Sequence, residues 1–211
     1  MKWSDKGRGR RGYHHGNLRE ALVAAALALI GEKGPAGFTF AEAARRAGVS
    51  PAAPYRHFRD RDALMADVAQ RGFALFADDL AAAWNDGAPD PVAALDRVGR
   101  AYLAFAAREP AHYVAMFESQ LPPDCSPELI AAADRAFGVL RQASEAVCAR
   151  LPAAGRPPAS MVAFHLWSMA HGIASLFARG DAGRRRLPMP AEDLLEAEML
   201  IYLDGLGLGR G

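Results

Sequence analysis

Residues 39–58 read TFAEAARRAGVSPAAPYRHF, and this stretch decides the fold. Thr39 offers a side-chain oxygen at a helix start, and Glu42 three residues later completes a capping box, so a short helix is predicted over Ala41–Ala47. Gly48 stops it. Ser50 is placed to cap the next helix, with Pro51 in its first position, where a missing N–H costs nothing. That helix is predicted to run to about Phe58. Pro54 deletes the N–H that would bond back to Ser50, which predicts a late start or a slight bend. Two brief helices joined at a glycine make the helix-turn-helix arrangement, whose second helix is the recognition element.

Outward from this stretch the punctuation stays helical. Asn17 caps a first helix in which Leu18, Leu22, Ala25, Ala26 and Leu29 fall at helical spacing and which Gly34-Pro35 ends. Phe58, Leu64, Val49, Phe40 and Leu22 are read as the small core that fixes the recognition helix. Residues 1–12 (MKWSDKGRGRRG) lack an apolar period and form a flexible basic arm. Its Arg8, Arg10 and Arg11 are in reach of an adjacent minor groove, an idle arm being the competing reading. His14-His15 is a polar entry to the first helix rather than a metal site, having no further ligand nearby. Beyond Asp62, Leu64, Val68, Phe73, Leu75, Phe76 and Leu80 mark a longer helix toward Trp84, closed by Asp86–Pro89. Segments at 91–108, 111–119, 127–150, 159–179 and 191–206 follow, and every separator carries Pro or Gly. The expected organisation is an arm over 1–12, a DNA-binding domain over 13–62 and an effector-binding and dimerisation domain over 63–211.

Composition agrees with an ordinary globular chain: of 211 residues 51% are hydrophobic and 23% charged, alanine favours helix, and long period-two runs are missing. Apolar runs such as Ala21–Ile30 fall short of the ~20 residues of a membrane span, so a cytoplasmic protein without membrane contact is expected. Cys125 and Cys148 have no metal-type spacing and read as reduced thiols; neither a cofactor nor a metal is expected. The net charge of +1 conceals an asymmetry. Residues 1–62 carry +6 and the remainder −5, which fits a head that meets a polyanion. His57, His112, His165 and His171 lack Cys, Asp or Glu partners at catalytic spacing, which disfavours an enzyme. The alternative is an all-helical ligand-binding protein or enzyme without DNA function.

Gly48-Val49-Ser50-Pro51-Ala52-Ala53-Pro54-Tyr55-Arg56-His57-Phe58, followed by Arg61 and Leu64, resembles the signature of TetR-type repressors. The likeness extends upstream through Tyr13–Leu18 and Thr39–Ala47. Downstream, Leu166-Trp167-Ser168-Met169-Ala170-His171-Gly172-Ile173 is similar to the Trp-His-Gly core of one C-terminal domain class of that family. The resemblance implies an all-α protein of about nine helices, a three-helix DNA-binding head on a helical bundle. It also implies a homodimer that holds a palindromic operator until an effector releases it. It assigns Tyr55 and His57 to phosphate contacts, with Arg61 donating from the next helix start. Two departures stand out: Ala53-Pro54 where Thr and an aliphatic residue are usual, and Arg61 where Lys is usual.

The residues themselves supply the rest of the expected interface. Thr39 joins through its hydroxyl and the helix-terminal N–H groups. Ser50, Pro51, Ala52, Ala53 and Arg56 are available at the DNA-facing surface, and a guanidinium at Arg56 suits guanine O6 and N7 together. A solvated helix charge is the bland reading of Arg56. In the body, Phe105, Tyr113, Met116, Phe117, Phe137, Phe164, Trp167 and His171 suit an adaptable pocket for a small apolar effector, or else simply a core. Trp167 and His171 lie four apart on one helix face, aimed at one ligand or at each other. Segments 159–179 and 191–206 carry an apolar stripe that wants a partner, in a second subunit or within the same one.

Overall fold

Proline at the first turn and Gly or Asn past the last one punctuate this chain, and the helices stop where that chemistry says they should. The structure, a computed structural model, describes residues 18–122, 125–178 and 188–208. Among them the α-helices are α1 (Leu18–Lys33), α2 (Phe40–Arg46), α3 (Arg61–Trp84), α4 (Pro91–Arg108), α5 (Pro110–Glu118), α6 (Pro127–Cys148), α7 (Ala159–Ala178) and α8 (Ala191–Gly205). Two 3-10 turns, Ala53–Arg56 and Asn85–Gly87, complete the regular structure, and no strand occurs among the described residues. The chain is all-α. Pro91, Pro110 and Pro127 each open a helix. Arg8, Arg10, Arg11, His14-His15 and the cap assigned to Asn17 lie outside the described residues.

The head begins as its sequence requires. Thr39 Oγ1 accepts from the Glu42 N–H at 3.2 Å and the Glu42 carboxylate accepts from the Thr39 N–H at 2.8 Å, closing the capping box. Lys33 also donates to Glu42 at 2.8 Å, and this bond, aided by the Thr39 N–H, holds the Glu42 carboxyl down at about 2. A lowered folded-state value stabilises above the ordinary 4.5, so that contribution is lost as pH falls from there toward 2. Thr39→Ala is expected to cost about 1 kcal/mol in urea unfolding, with Thr39→Ser retaining most of it. At the other end of α2, the Val49 N–H reaches Ala44 O at 3.0 Å and the Gly48 N–H reaches Arg45 O at 3.1 Å. Gly48 sits at φ +74°, so this is a Schellman turn of the kind that glycine permits.

The recognition element differs from its expected form. Ser50 does not cap it; its carbonyl takes the Ala53 N–H at 3.0 Å, and residues 53–56 form one 3-10 turn preceded by Ala52. Pro51 and Pro54 both lack the donors an α-helix would use here, so the tighter turn forms and starts late. Pro54 is itself buried and its carbonyl accepts from both His57 N and Phe58 N, at 2.9 and 3.0 Å. The proline therefore anchors the element as well as reshaping it.

Two apolar cores stack along α3, which at 24 residues is about 36 Å long. Its first half joins Leu22, Ile30, Phe38, Ala43 and Phe58 in the head core through Leu64, Met65, Val68 and Ala69. Its second half, through Phe76, Ala77, Leu80 and Trp84, enters the body core with α4, α6, α7 and α8. Packing of the head thus continues past residue 62. Expected core members Phe40 and Val49 are only half-buried; Phe38 takes the inward place, because it precedes the α2 cap and turns under α1. Helix α5 bridges the two cores, with Ala115 in the head and Tyr113 in the body. No helix among the described residues is long and apolar enough to cross a membrane.

Candidate functional site

The exposed surface of the recognition element carries Tyr55, Arg56 and His57, while Pro54 and Phe58 point inward. Tyr55 is 63% exposed, and its ring stands edge-on to Phe40 at 5.1 Å, so its position is fixed and its hydroxyl is free to meet solvent. Ser50, Pro51 and Ala52 are exposed in the turn ahead of it, with Ala53 half-buried. Thr39 is exposed as well, but its hydroxyl is engaged with Glu42, leaving the interface only what a cap has to spare.

Most head cations are already committed. Arg19 pairs with Asp67 and lies over the Phe58 ring at 5.0 Å; Arg46 takes Glu32 in two bonds of 2.6 Å; Arg59 takes Asp60 at 2.8 Å. Arg61, expected to donate to phosphate, has protein partners in this structure. Its guanidinium donates to the carbonyls of Phe38, at 3.1 Å, and Pro35, and covers the Phe38 ring at 4.9 Å. Arg61 is a clasp on the loop between α1 and α2, because carbonyls at the end of that loop have no helical donor and a planar fork supplies several. Among the described head residues, Arg45 and Arg56 have side chains without an ion pair or hydrogen bond, and both are exposed. Arg45 was invisible to the sequence reading, since a basic residue in a last helical turn looks like a dipole complement.

Below the head, α3, α4, α5, α6, α7 and α8 line a cavity of about 310 Å³. Its lining includes four residues expected there: Phe117, Phe137, Phe164 and Trp167. It also includes Phe73, Phe76, Tyr102, Leu195 and Met199, which share no local motif. Gly99, also in the lining, lets Leu195 of α8 approach α4 closely, since a Cβ there would meet Leu195 Cδ2 at 3.2 Å. The other four candidates lie elsewhere. Phe105 is wholly buried against Phe76, ring centroids 4.9 Å apart, because α4 turns it to the core. Met116 lies on the far side of α5 against Gly72, where the lack of a side chain lets α3 and α5 approach.

Tyr113 and His171 stand behind the wall. The hydroxyls of Tyr102 and Tyr113 converge on His171 Nδ1 at 2.9 and 3.0 Å. Burial pushes the Tyr102 phenol well above its ordinary value, so it stays neutral. Trp167 and His171 lie with centroids 6.0 Å apart, and His171 is held by Tyr102, a residue that the sequence reading did not single out. No group of three or more His, Cys, Asp or Glu suited to a metal occurs among the described residues.

Residues 22–68 match the family described as bacterial regulatory proteins, tetR family. Residues 95–201 match the tetracyclin repressor-like C-terminal domain. The HTH-type transcriptional regulator BetI of Rhizobium meliloti (strain 1021) is 36% identical over 101 residues, 47% of this chain and 50% of that protein. The chain therefore spans about half the length of that curated relative. Among solved structures, a protein of unknown function from Rhodococcus sp. RHA1 superposes with a TM-score of 0.77 at 29% identity, over 93% of this chain and 98% of that one. AibR, in complex with isovaleryl coenzyme A and operator DNA, shares the fold at a TM-score of 0.67 and 17% identity, over 87% and 97% of the two chains. With one match falling on the head core and the other on the cavity-bearing body, the chain belongs to the tetR family of bacterial regulatory proteins, transcriptional regulators with a helix-turn-helix DNA-binding domain.

Proposed function

We propose that the chain acts in the cytoplasm as a homodimeric repressor that holds a palindromic operator and releases it when a small, largely apolar effector enters the cavity. The observation that carries this reading is the dual use of α3. The helix contributes Leu64, Met65, Val68 and Ala69 to the head core and Phe73, Phe76 and Leu80 to the cavity wall, so a ligand pressing on the wall acts on the element that holds the head. Coupling of this kind needs a ligand that fits one head orientation better than the other. AibR, similar in fold, carries a small-molecule ligand and DNA together, which supports the same two-site organisation here.

Dimerisation through segments 159–179 and 191–206 is supported by apolar side chains left in solvent. Met161, Phe164 and Leu176 of α7 and Leu200 and Ile201 of α8 are exposed, Ile201 to 73%. Such a surface gains by burial against a second copy. The arm over 1–12, head over 13–62 and body over 63–211 are the working units in this proposal. Selection of bound sequences from a random duplex pool tests it. The expected product is an inverted repeat whose half-sites lie about one helical turn or a multiple apart. Recovery of no enriched sequence, or of single unpaired half-sites, would count against operator binding by a dimer.

A further inference from the structure

The cavity carries a band of aromatic rings among aliphatic side chains, and its described lining has one charged residue. Phe73, Phe76, Phe117, Phe137, Phe164 and Trp167 contribute rings, Tyr102 a seventh, and Asp134 is the one carboxylate among the described lining residues. None of the described lining residues is Lys, Arg or His. Asp134 stands three residues before Phe137 on α6, so the carboxylate and that ring share one helix face. Phe137, Phe164 and Trp167 in turn sit within 4.9–6.2 Å of one another, centroid to centroid, forming a continuous aromatic wall.

No described cation pairs with Asp134. The neighbouring Arg135 is turned to α3, where it donates to Asp78 at 2.9 Å and to the Ala74 carbonyl at 2.8 Å. Among the described residues no ion pair or hydrogen bond occupies the Asp134 side chain, which is exposed at the cavity mouth. A carboxylate or phosphate entering here would lose hydration with no cation among the described lining residues to replace it. A positive nitrogen would meet ring faces whose quadrupoles attract it, and one carboxylate at the rim.

We propose that the ligand of this cavity is an apolar monocation, an aromatic or branched aliphatic body bearing one ammonium nitrogen. The body lies among the phenylalanines and the nitrogen faces Asp134 and the Phe137–Trp167 wall. This inference rests on the reading of the cavity as the effector site. It excludes acidic ligands of the same size and shape.

Calorimetric titration of the full-length protein with a shape-matched series tests it: benzyltrimethylammonium, its uncharged isostere neopentylbenzene, and phenylacetate. The ammonium is expected to bind about fivefold more tightly than the hydrocarbon or better, and phenylacetate weakest. Asp134→Asn, an exposed substitution, is expected to weaken the ammonium by roughly five- to tenfold and leave the hydrocarbon unchanged. Equal affinity of ammonium and hydrocarbon in both proteins overturns the charge assignment and leaves the cavity as an effector site for neutral ligands. Preferential binding of phenylacetate overturns it likewise. Absence of binding by all three overturns this inference together with the effector-site reading on which it rests.

Discussion

Arg56→Ala is expected to relax the preference for one base pair in each half-site and to cost about 1–3 kcal/mol on the selected operator, while leaving binding to random duplex nearly intact. Arg56 is exposed on the recognition element and its guanidinium is uncommitted. Arg45→Ala should behave differently. Its place at the end of α2, the helix that crosses the backbone, suits a phosphate, so affinity should fall on all sequences and the salt dependence should flatten by about one unit per protomer. Gel shifts on matched and mismatched duplexes across a salt series separate the two behaviours. Arg61→Ala is the informative control. With its guanidinium clasping Pro35 and Phe38, its loss should lower head stability and spare the salt slope. A reduced slope for Arg61→Ala with unchanged slopes for Arg45→Ala and Arg56→Ala would reverse the assignments made here.

Phe58→Ala is expected to remove about 3–5 kcal/mol from the stability of the head, the largest single loss among these substitutions. The ring is buried at the end of the recognition element, among the α1 and α3 side chains of the head core, with the Arg19 guanidinium 5.0 Å above it. Truncation leaves a cavity under the recognition element and removes the surface on which Arg19 rests. Since a domain holds only about 5–15 kcal/mol in total, DNA binding should fail at temperatures where the normal protein binds. Urea unfolding followed by circular dichroism measures the loss, and Phe58→Leu should restore much of it. A cost below about 1 kcal/mol would show that Phe58 is not the keystone of the head core.

The division between what was legible and what was not follows the range of the interactions. The Thr39–Glu42 capping box, the Gly48 turn and the prolines that open α4, α5 and α6 are chemistry within a few residues, so helix order and most boundaries were readable directly. Pro54 was legible as a disturbance; that it would be buried and sustain a 3-10 turn required the α1 and α2 surfaces against it. The clasp that Arg61 makes on the α1–α2 loop was not legible, because the carbonyls that it meets lie 23 and 26 residues away. The cavity shows the same limit. Phe117, Phe137, Phe164 and Trp167 were named as candidates, but Phe105 and Tyr113 have the same composition and face the core, and Phe73, Phe76 and Met199 were missed.

The sequence by itself determined the all-helical fold, the helix-turn-helix and the basic character of the head, because capping, turn and charge signals act over short separations and need no knowledge of partners. Only the tertiary structure decided which cations remain free for DNA, which aromatic rings surround a space instead of filling it, and that one carboxylate guards that space. Those outcomes depend on the rotation of each helix about its axis against its neighbours, a global packing balance that a local pattern does not contain.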